Sequence, residues 1–318
     1  MKILIIRFSS IGDIVLTTPV IRCLKEQLPQ VEIHYCSKSN FKAILDPNPY
    51  ISKNYYYQNN LSSLLEELKN EKYDLIIDLH HNLRTLIMKL KLGIESRSFR
   101  KMNFQKWLLV KWKINKMGNS HVVDRYMETI AHLGIVNDNK GLDYFIPTPD
   151  VVNLNALPGQ FNHGYTAYAI GGQHATKKLP LHKMIELCKQ IQQPIILLGG
   201  KEDFNNADQI ISACTDQMLY NACGQYNLNQ SASLIAQATN VISHDTGLMH
   251  IAAAFKKNII SIWGNTVPAL GFSPYQTSFK VVENNAINCR PCSKLGYSAC
   301  PKSHFKCMEE LDFSNILH

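Results

Sequence analysis

MKILIIRFSSIGDIVLTTP, residues 1–19, decides how the rest of the chain is read. Its first six residues, mostly apolar, have the pattern of a strand buried on both faces. Arg7 ends the run, and the turn behind it carries two serines, one glycine and one carboxylate, Asp13. A dinucleotide-binding turn would place three glycines here at GxGxxG spacing. This turn offers a base instead of a pyrophosphate cradle. Thr18 before Pro19 marks the next helix start, as N-cap and first helical residue, which leaves 13–17 as an extended turn.

Outward from this stretch the same alternation repeats. VEIHYCS and YDLIIDL read as strands, PVIRCLKEQL and LSSLLEELKNEK as helices, and HVVDRYMETIAHLG as a helix ended by Gly134. From Asn137 to about Gly164 the periodicity fades into NDNKG, PTP and LPGQFNHG, the turn residues of a linker. The alternation then restarts with YTAYAIGG, PIILLGG, LYNACG, NVISHD and NIISIWG as strands. PLHKMIELCKQI, EDFNNADQIISAC, SASLIAQAT and GLMHIAAAF are the helices between them. The pattern predicts an α/β chain of two doubly wound parallel-sheet domains, 1–155 and 156–318, facing each other across a central cleft. The end, SNILH at 314–318, reads as a helix start cut short.

Of the 318 residues, 45% are hydrophobic and 18% charged, an ordinary globular balance. No apolar run approaches the ~20 residues of a membrane span. Arg7, Gly12 and Asp13 break the early apolar run, so the N-terminus reads as a first strand rather than a signal peptide, and the protein as cytoplasmic. The net charge is +8, and its location matters more than its size. From Arg84 to Lys116 there are ten basic residues against Glu95 alone, a local +9, with two of the three tryptophans, Trp107 and Trp112, inside it. That mixture suits an anionic, partly apolar surface such as a membrane headgroup layer, or a solvated helix whose tryptophans pack inward. No nucleic-acid module surrounds it. Five of nine cysteines (23, 36, 188, 214, 223) lie in core-like elements. Cys289, Cys292, Cys300 and Cys307, with His304, form a C-terminal segment, 289–307, open to zinc, a redox disulfide or plain thiol packing.

Three loops of the second half follow predicted strands. In SHDTGLMHIAAAF (243–255) a helix starts near Thr246 and Gly247, exposing unpaired N–H groups to an anion, with Asp245 and His250 beside it. GGQHATKKLP (171–180) brings Thr176, Lys177 and Lys178. LLGGKED (197–203) brings Glu202, an acid suited to a ribose diol. Singly they match a capped helix, a basic surface loop and a first-turn acid; together they suit a nucleotide diphosphate. No Asp-x-Asp, GxSxG or Walker motif is present.

IRFSSIGDIVLTTPVIRCLK, GGQHATKKLP and SHDTGLMHIAAAFKKNIISIWGNT, in this order, resemble the heptosyltransferases of glycosyltransferase family 9, as do HHNLRT and SHVVDRYMETIAHLG. The resemblance implies a GT-B fold of two Rossmann-like domains, and inverting transfer of heptose from ADP-heptose without a metal or other cofactor. It implies Asp13 as general base, with Ser10 and Arg84 near the acceptor. Thr176, Lys177, Glu202, Asp245, Thr246, Gly247 and His250 would bind the donor; Leu179 stands where the family usually has tryptophan. The implied acceptor is a phosphorylated lipid A or Kdo-type precursor, met at the inner face of the inner membrane through 84–116. The alternatives are a metal-free sugar-nucleotide epimerase on the same scaffold, a transferase using another nucleotide sugar, a dehydrogenase, or a catalytically dead nucleotide-sugar binder.

Overall fold

The structure is a computed structural model, which describes residues 1–314 and 316. The helix expected at 314–318 turns on residues 315, 317 and 318, outside the described residues. Two compact units divide the chain: Met1–Lys101 with Ser120–Phe145, and Met102–Asn119 with Ile146 onward.

The first unit is a five-stranded parallel sheet in the order β3-β2-β1-β4-β5. Its strands are β1 (Lys2–Ile6), β2 (Glu32–Lys38), β3 (Lys53–Tyr57), β4 (Leu75–Asp78) and β5 (Ser96–Ser98). β1 pairs with β2 and β4, and Ile3, Leu4, Ile5 and Ile6 are fully buried, as its apolar run predicts. The helices are α1 (Ile11–Val15), α2 (Thr18–Gln27), α3 (Lys42–Leu45), α4 (Leu61–Asn70) and α5 (Leu83–Leu92). The chain then leaves for α6 (Asn103–Trp112) and returns for α7 (Val122–Met127).

Residues 13–17 are not extended. α1 nucleates directly behind β1, because the Asp13 carboxylate accepts from the Ser10 N–H at 3.2 Å and the Ser10 hydroxyl at 2.7 Å. Such a cap contributes about 1 kcal/mol, enough to turn this short segment. Thr17, not Thr18, is then the N-cap of α2, and Pro19 sits in its first turn. α7 also ends earlier than its periodicity suggests, with Ala131–Leu133 a separate 3-10 turn closed by left-handed Gly134. Arg22 on α2, buried, binds Asp138 (2.7 and 2.8 Å), the Gly141 carbonyl (2.8 Å) and Asp143. The 137–145 stretch is thereby fastened to the first unit.

The second unit is a six-stranded parallel sheet in the order β11-β10-β9-β6-β7-β8. The strands are β6 (Thr166–Ala169), β7 (Ile195–Leu198), β8 (Leu219–Asn221), β9 (Asn240–His244), β10 (Asn258–Trp263) and β11 (Phe279–Glu283). α8 (Leu181–Gln190), α9 (Phe204–Ala213), α10 (Leu228–Gln237) and α11 (Gly247–Ala254) connect them. Both sheets are doubly wound, and the order of each reverses between its first and fourth strand, β1/β4 and β6/β9. That crevice, at the carboxyl ends, is where such sheets bind ligands.

The five scattered cysteines are buried, Cys23 and Cys36 in the first unit, Cys188, Cys214 and Cys223 in the second. On α6 only Leu109 is buried, packed with Met117 and Leu270. Trp107 and Trp112 are exposed, Trp107 stacked against Phe104, so the tryptophans do not pack inward. Among the described residues no helix is long and apolar enough to cross a membrane.

Candidate active site

At the β1/β4 switch point the loop behind β1 carries Asp13. One of its oxygens is 2.6 Å from the Arg7 guanidinium and the other accepts from Ser10. Arg7 is buried and spends its remaining donors on the carbonyls of Ser9 and Leu79, both at 2.6 Å, and on the Tyr126 hydroxyl at 3.1 Å. Burial opposes its charge, and Asp13 with Tyr126 and Tyr35 outweighs that, leaving the Arg7 pKa raised. The carboxylate is therefore clamped to a fixed cation yet remains partly exposed.

The loop behind β4 reaches the same corner. Asp78, fully buried, accepts from the N–H groups of His80 (3.1 Å) and His81 (2.6 Å) and pairs with Lys89 at 2.9 Å. His80 packs edge-on against Phe8, 5.5 Å between ring centres. Burial, reinforced by Arg7 and Lys101, pulls its imidazole down to about 4, so it is neutral at pH 7. Arg84 lies over the rings of Tyr57 (4.5 Å) and Phe8 (5.3 Å), a cation set against two aromatic faces. Ser10, Asp13 and Arg84 thus meet at one corner of the first sheet, and Arg7, His80 and Tyr126 join them. The signal for Arg7 was its position, a lone cation closing an apolar strand. Tyr126 gave none, since its partner is 119 residues away.

The β6/β9 switch point of the second sheet holds the other group. Lys177 is 2.6 Å from the Asp245 carboxylate and also donates to the Asp245 carbonyl at 3.2 Å. Asp245 is buried and accepts from Thr266 at 2.9 Å. Thr246 is the N-cap of α11, and Gly247 its first residue. A Cβ on Gly172 would stand 3.0 Å from the Thr246 methyl carbon, so the loops behind β6 and β9 touch there. His250 lies buried one turn into α11.

Two expected donor residues behave differently. The Thr176 hydroxyl is engaged with the backbone of Tyr297, accepting its N–H at 2.8 Å and donating to its carbonyl at 3.2 Å. Thr176 is buried, and it braces the lysine loop against the cysteine-rich segment. Glu202 is exposed on the loop behind β7, while its neighbour Asp203 is buried, caps Gly200 (3.0 Å) and pairs with Lys178 (3.1 Å). Leu179, at the family's tryptophan position, is buried, and its N–H donates to His244 at 3.1 Å. Thr266 and Asp203 went unread because only tertiary pairing distinguishes them from other loop residues.

The four C-terminal cysteines are free thiols. Cys289 sulfur is 3.9 Å from His304 Nε2, and burial pushes Cys307 up to about 12. Among the described residues the one group of three or more ligating side chains within 4.8 Å is Glu32, His34 and Glu71, at the amino ends of the first sheet. No three of these cysteines and His304 bring their ligand atoms within 4.8 Å of one another. Lys2 and Lys53 already neutralise Glu71 in the other cluster.

The family model of glycosyltransferase family 9 (heptosyltransferase) matches residues 61–301. The chain is 22% identical over 295 residues to lipopolysaccharide heptosyltransferase 2 of Escherichia coli K12, covering 84% of each. Its fold matches the solved E. coli ADP-heptose lps heptosyltransferase II with a TM-score of 0.69 at 19% identity, over 98% of both chains. E. coli heptosyltransferase WaaC, solved with ADP-2-deoxy-2-fluoro heptose, matches at 0.67 and 20%, over 88% of this chain and 92% of that one.

Proposed function

The chain belongs to glycosyltransferase family 9, the heptosyltransferases, and from that premise we propose that it transfers heptose from ADP-heptose to the inner core of a lipopolysaccharide acceptor, with inversion and without a metal. The observation that carries the reading is the pair of oppositely built ion pairs. Each sheet offers one at its own ligand-binding edge, Arg7–Asp13 in the first and Asp245–Lys177 in the second. The donor assignment draws on the family and on the relative solved with an ADP-heptose analogue.

In this reading an acceptor hydroxyl oxygen attacks the anomeric carbon of the heptose. The bond from that carbon to the diphosphate oxygen breaks, its electron pair leaves with ADP, and attack from the opposite face inverts the centre. Asp13 takes the hydroxyl proton as the new C–O bond forms, a contribution of roughly 10²–10⁴-fold. Arg7 and Ser10 fix which lone pairs of the carboxylate remain for that proton. Charge growing on the departing diphosphate meets Lys177 and the N–H groups at the start of α11, with Thr246, Gly247 and His250 around them. Electrostatic stabilisation of this kind is commonly the larger effect. Glu202, exposed behind β7, takes the ribose hydroxyls in this reading, and Thr176 acts by holding the lysine loop. Arg84, stacked and without a carboxylate partner in its stack, is suited to an acceptor phosphate or Kdo carboxylate. The enzyme would work at the cytoplasmic face of the membrane, where the basic stretch 84–116 and the exposed tryptophans of α6 match an anionic surface.

The test is ADP release from ADP-heptose with a panel of lipid A precursors. Turnover should require a phosphorylated, Kdo-bearing acceptor, and should collapse in Asp13→Ala while ADP binding survives. Turnover in the absence of any acceptor, or full activity in Asp13→Ala, would sink the reading.

A further inference from the structure

α5 is apolar on two opposite faces. Thr85 and Met88 are buried, and Leu92 packs against the core of the first unit. On the other side Leu83, Leu86 and Leu90, spaced three and four apart, form one stripe exposed by 73%, 47% and 73%. Scattered exposed leucines need no explanation, whereas three in register on one helix do. The stripe is not a frayed end. Asn82 and Thr85 cap the helix reciprocally at 2.9 and 3.0 Å, and left-handed Gly93 closes it.

The surroundings say what covers it. Between Leu83 and Lys101 lie Arg84, Lys89, Lys91, Arg97, Arg100 and Lys101, with Glu95 the only acid, a local +5. Glu95 is itself held by Arg97 at 2.7 Å, while Lys89 pairs with the buried Asp78 and Arg100 with Glu128. Leucines outward on a helix that itself carries Arg84, Lys89 and Lys91 and no acid have the composition of an interfacial helix. A protein partner would have to supply both an apolar groove and a matching acidic rim. A bilayer supplies apolar depth under any convex face, with anionic headgroups at the height reached by Lys91.

We propose that the Leu83–Leu86–Leu90 face of α5 inserts into the acyl boundary of an anionic phospholipid bilayer. The first turn of this helix also carries Arg84, stacked on Phe8 beside the Asp13 turn. One ten-residue helix therefore touches lipid along its outer face and the acceptor corner at its start. The acceptor is taken with its acyl chains still in the membrane, only its headgroup leaving the plane. The insertion stands on the leucines and cations alone; the statement about the acceptor rests on the proposed function.

The full-length protein is tested by flotation with vesicles of phosphatidylglycerol and phosphatidylethanolamine. Leu83→Gln/Leu86→Gln/Leu90→Gln keeps helix propensity and removes the stripe. It should lower vesicle partitioning at least about tenfold, with thermal melting unchanged. A companion variant, Trp107→Gln/Trp112→Gln on α6, reports what that helix contributes separately. The α5 variant should also lose activity on vesicle-embedded acceptor while keeping it on a deacylated, water-soluble one. Wild-type protein that ignores anionic vesicles, or an α5 variant that floats as wild type does, overturns the insertion. A concentration-dependent dimer abolished by the variant would reassign the stripe to self-association and overturn it too. Vesicle binding that depends on α5, with no transfer to any acceptor, would leave the insertion standing and sink the functional reading instead.

Discussion

At the β1/β4 crevice a buried arginine holds a carboxylate; at the β6/β9 crevice a buried carboxylate holds a lysine. The two sheets share a strand order around these points, and the N-terminus of a helix lies close by in each. Their chemistry is nevertheless inverted. In the first, the cation is the hidden partner and the anion looks outward; in the second, the roles are exchanged. Topology decides where a group is offered, and the charge left buried behind the strand decides which sign is offered. A transferase that both accepts a proton and stabilises a leaving diphosphate has use for one of each.

The sharpest way to break this comparison is to remove the outward member of each pair. Asp13→Ala should lower kcat by roughly 10²–10⁴-fold and leave ADP affinity, measured calorimetrically, close to wild type. Lys177→Met should lower kcat/KM by roughly 10²–10³-fold and also weaken ADP, because in the proposed mechanism the lysine meets the phosphates before and during the reaction. Equal effects of both variants on ADP affinity would erase the division of labour. A smaller effect comes from the support behind Lys177. Thr266→Val removes the hydroxyl that Asp245 accepts, a loss of about 1 kcal/mol, or about fivefold in ADP affinity, with kcat nearly unchanged.

The smallest effect is a control on the same first sheet. Glu71 accepts from Lys2, Lys53 and Tyr55, which hold its carboxyl far below the usual carboxylate range. A depressed folded pKa means that its stabilisation is complete above the unfolded value of 4.5 and drains away as pH falls below it. Glu71→Gln should flatten the acid limb of a Tm-against-pH curve and leave ADP affinity and turnover at pH 7 unchanged. An ion pair far from the crevice then moves stability alone.

The central strands were legible because they are buried and rich in apolar residues: β1, β4, β7 and β10 as nearly unbroken apolar runs, β2, β6 and β9 with polar residues among them. The edges were not. β5 is Ser-Arg-Ser, β3 is rich in half-buried tyrosine, and β11 alternates weakly, so none carries a periodic signal. α5 hid for a different reason, since helical spacing marks a buried face only where the opposite face is polar, and here both faces are apolar. At the site, Asp13, Lys177 and Asp245 stood out as charged residues in strand-end turns. Arg7, His80, Thr266 and Asp203 owe their importance to neighbours distant in sequence, which no local pattern encodes. Thr176 was read by its chemistry, yet the fold gives its hydroxyl to the backbone of Tyr297.

That last contact reaches further than one residue. The cysteine-rich segment has neither helix nor strand from 284 to 305, and it is secured from two other directions. Arg290 binds carbonyls behind β10, and Lys113, at the end of α6, donates to the carbonyls of Cys289 and Pro291 at 3.0 and 2.7 Å. The segment acts as a splint, stiffening from outside the sheet the loop that presents Lys177. If that loop holds the donor as proposed, damage to the segment would show up first as a slackened grip on nucleotide, in a protein whose two sheets still melt as before.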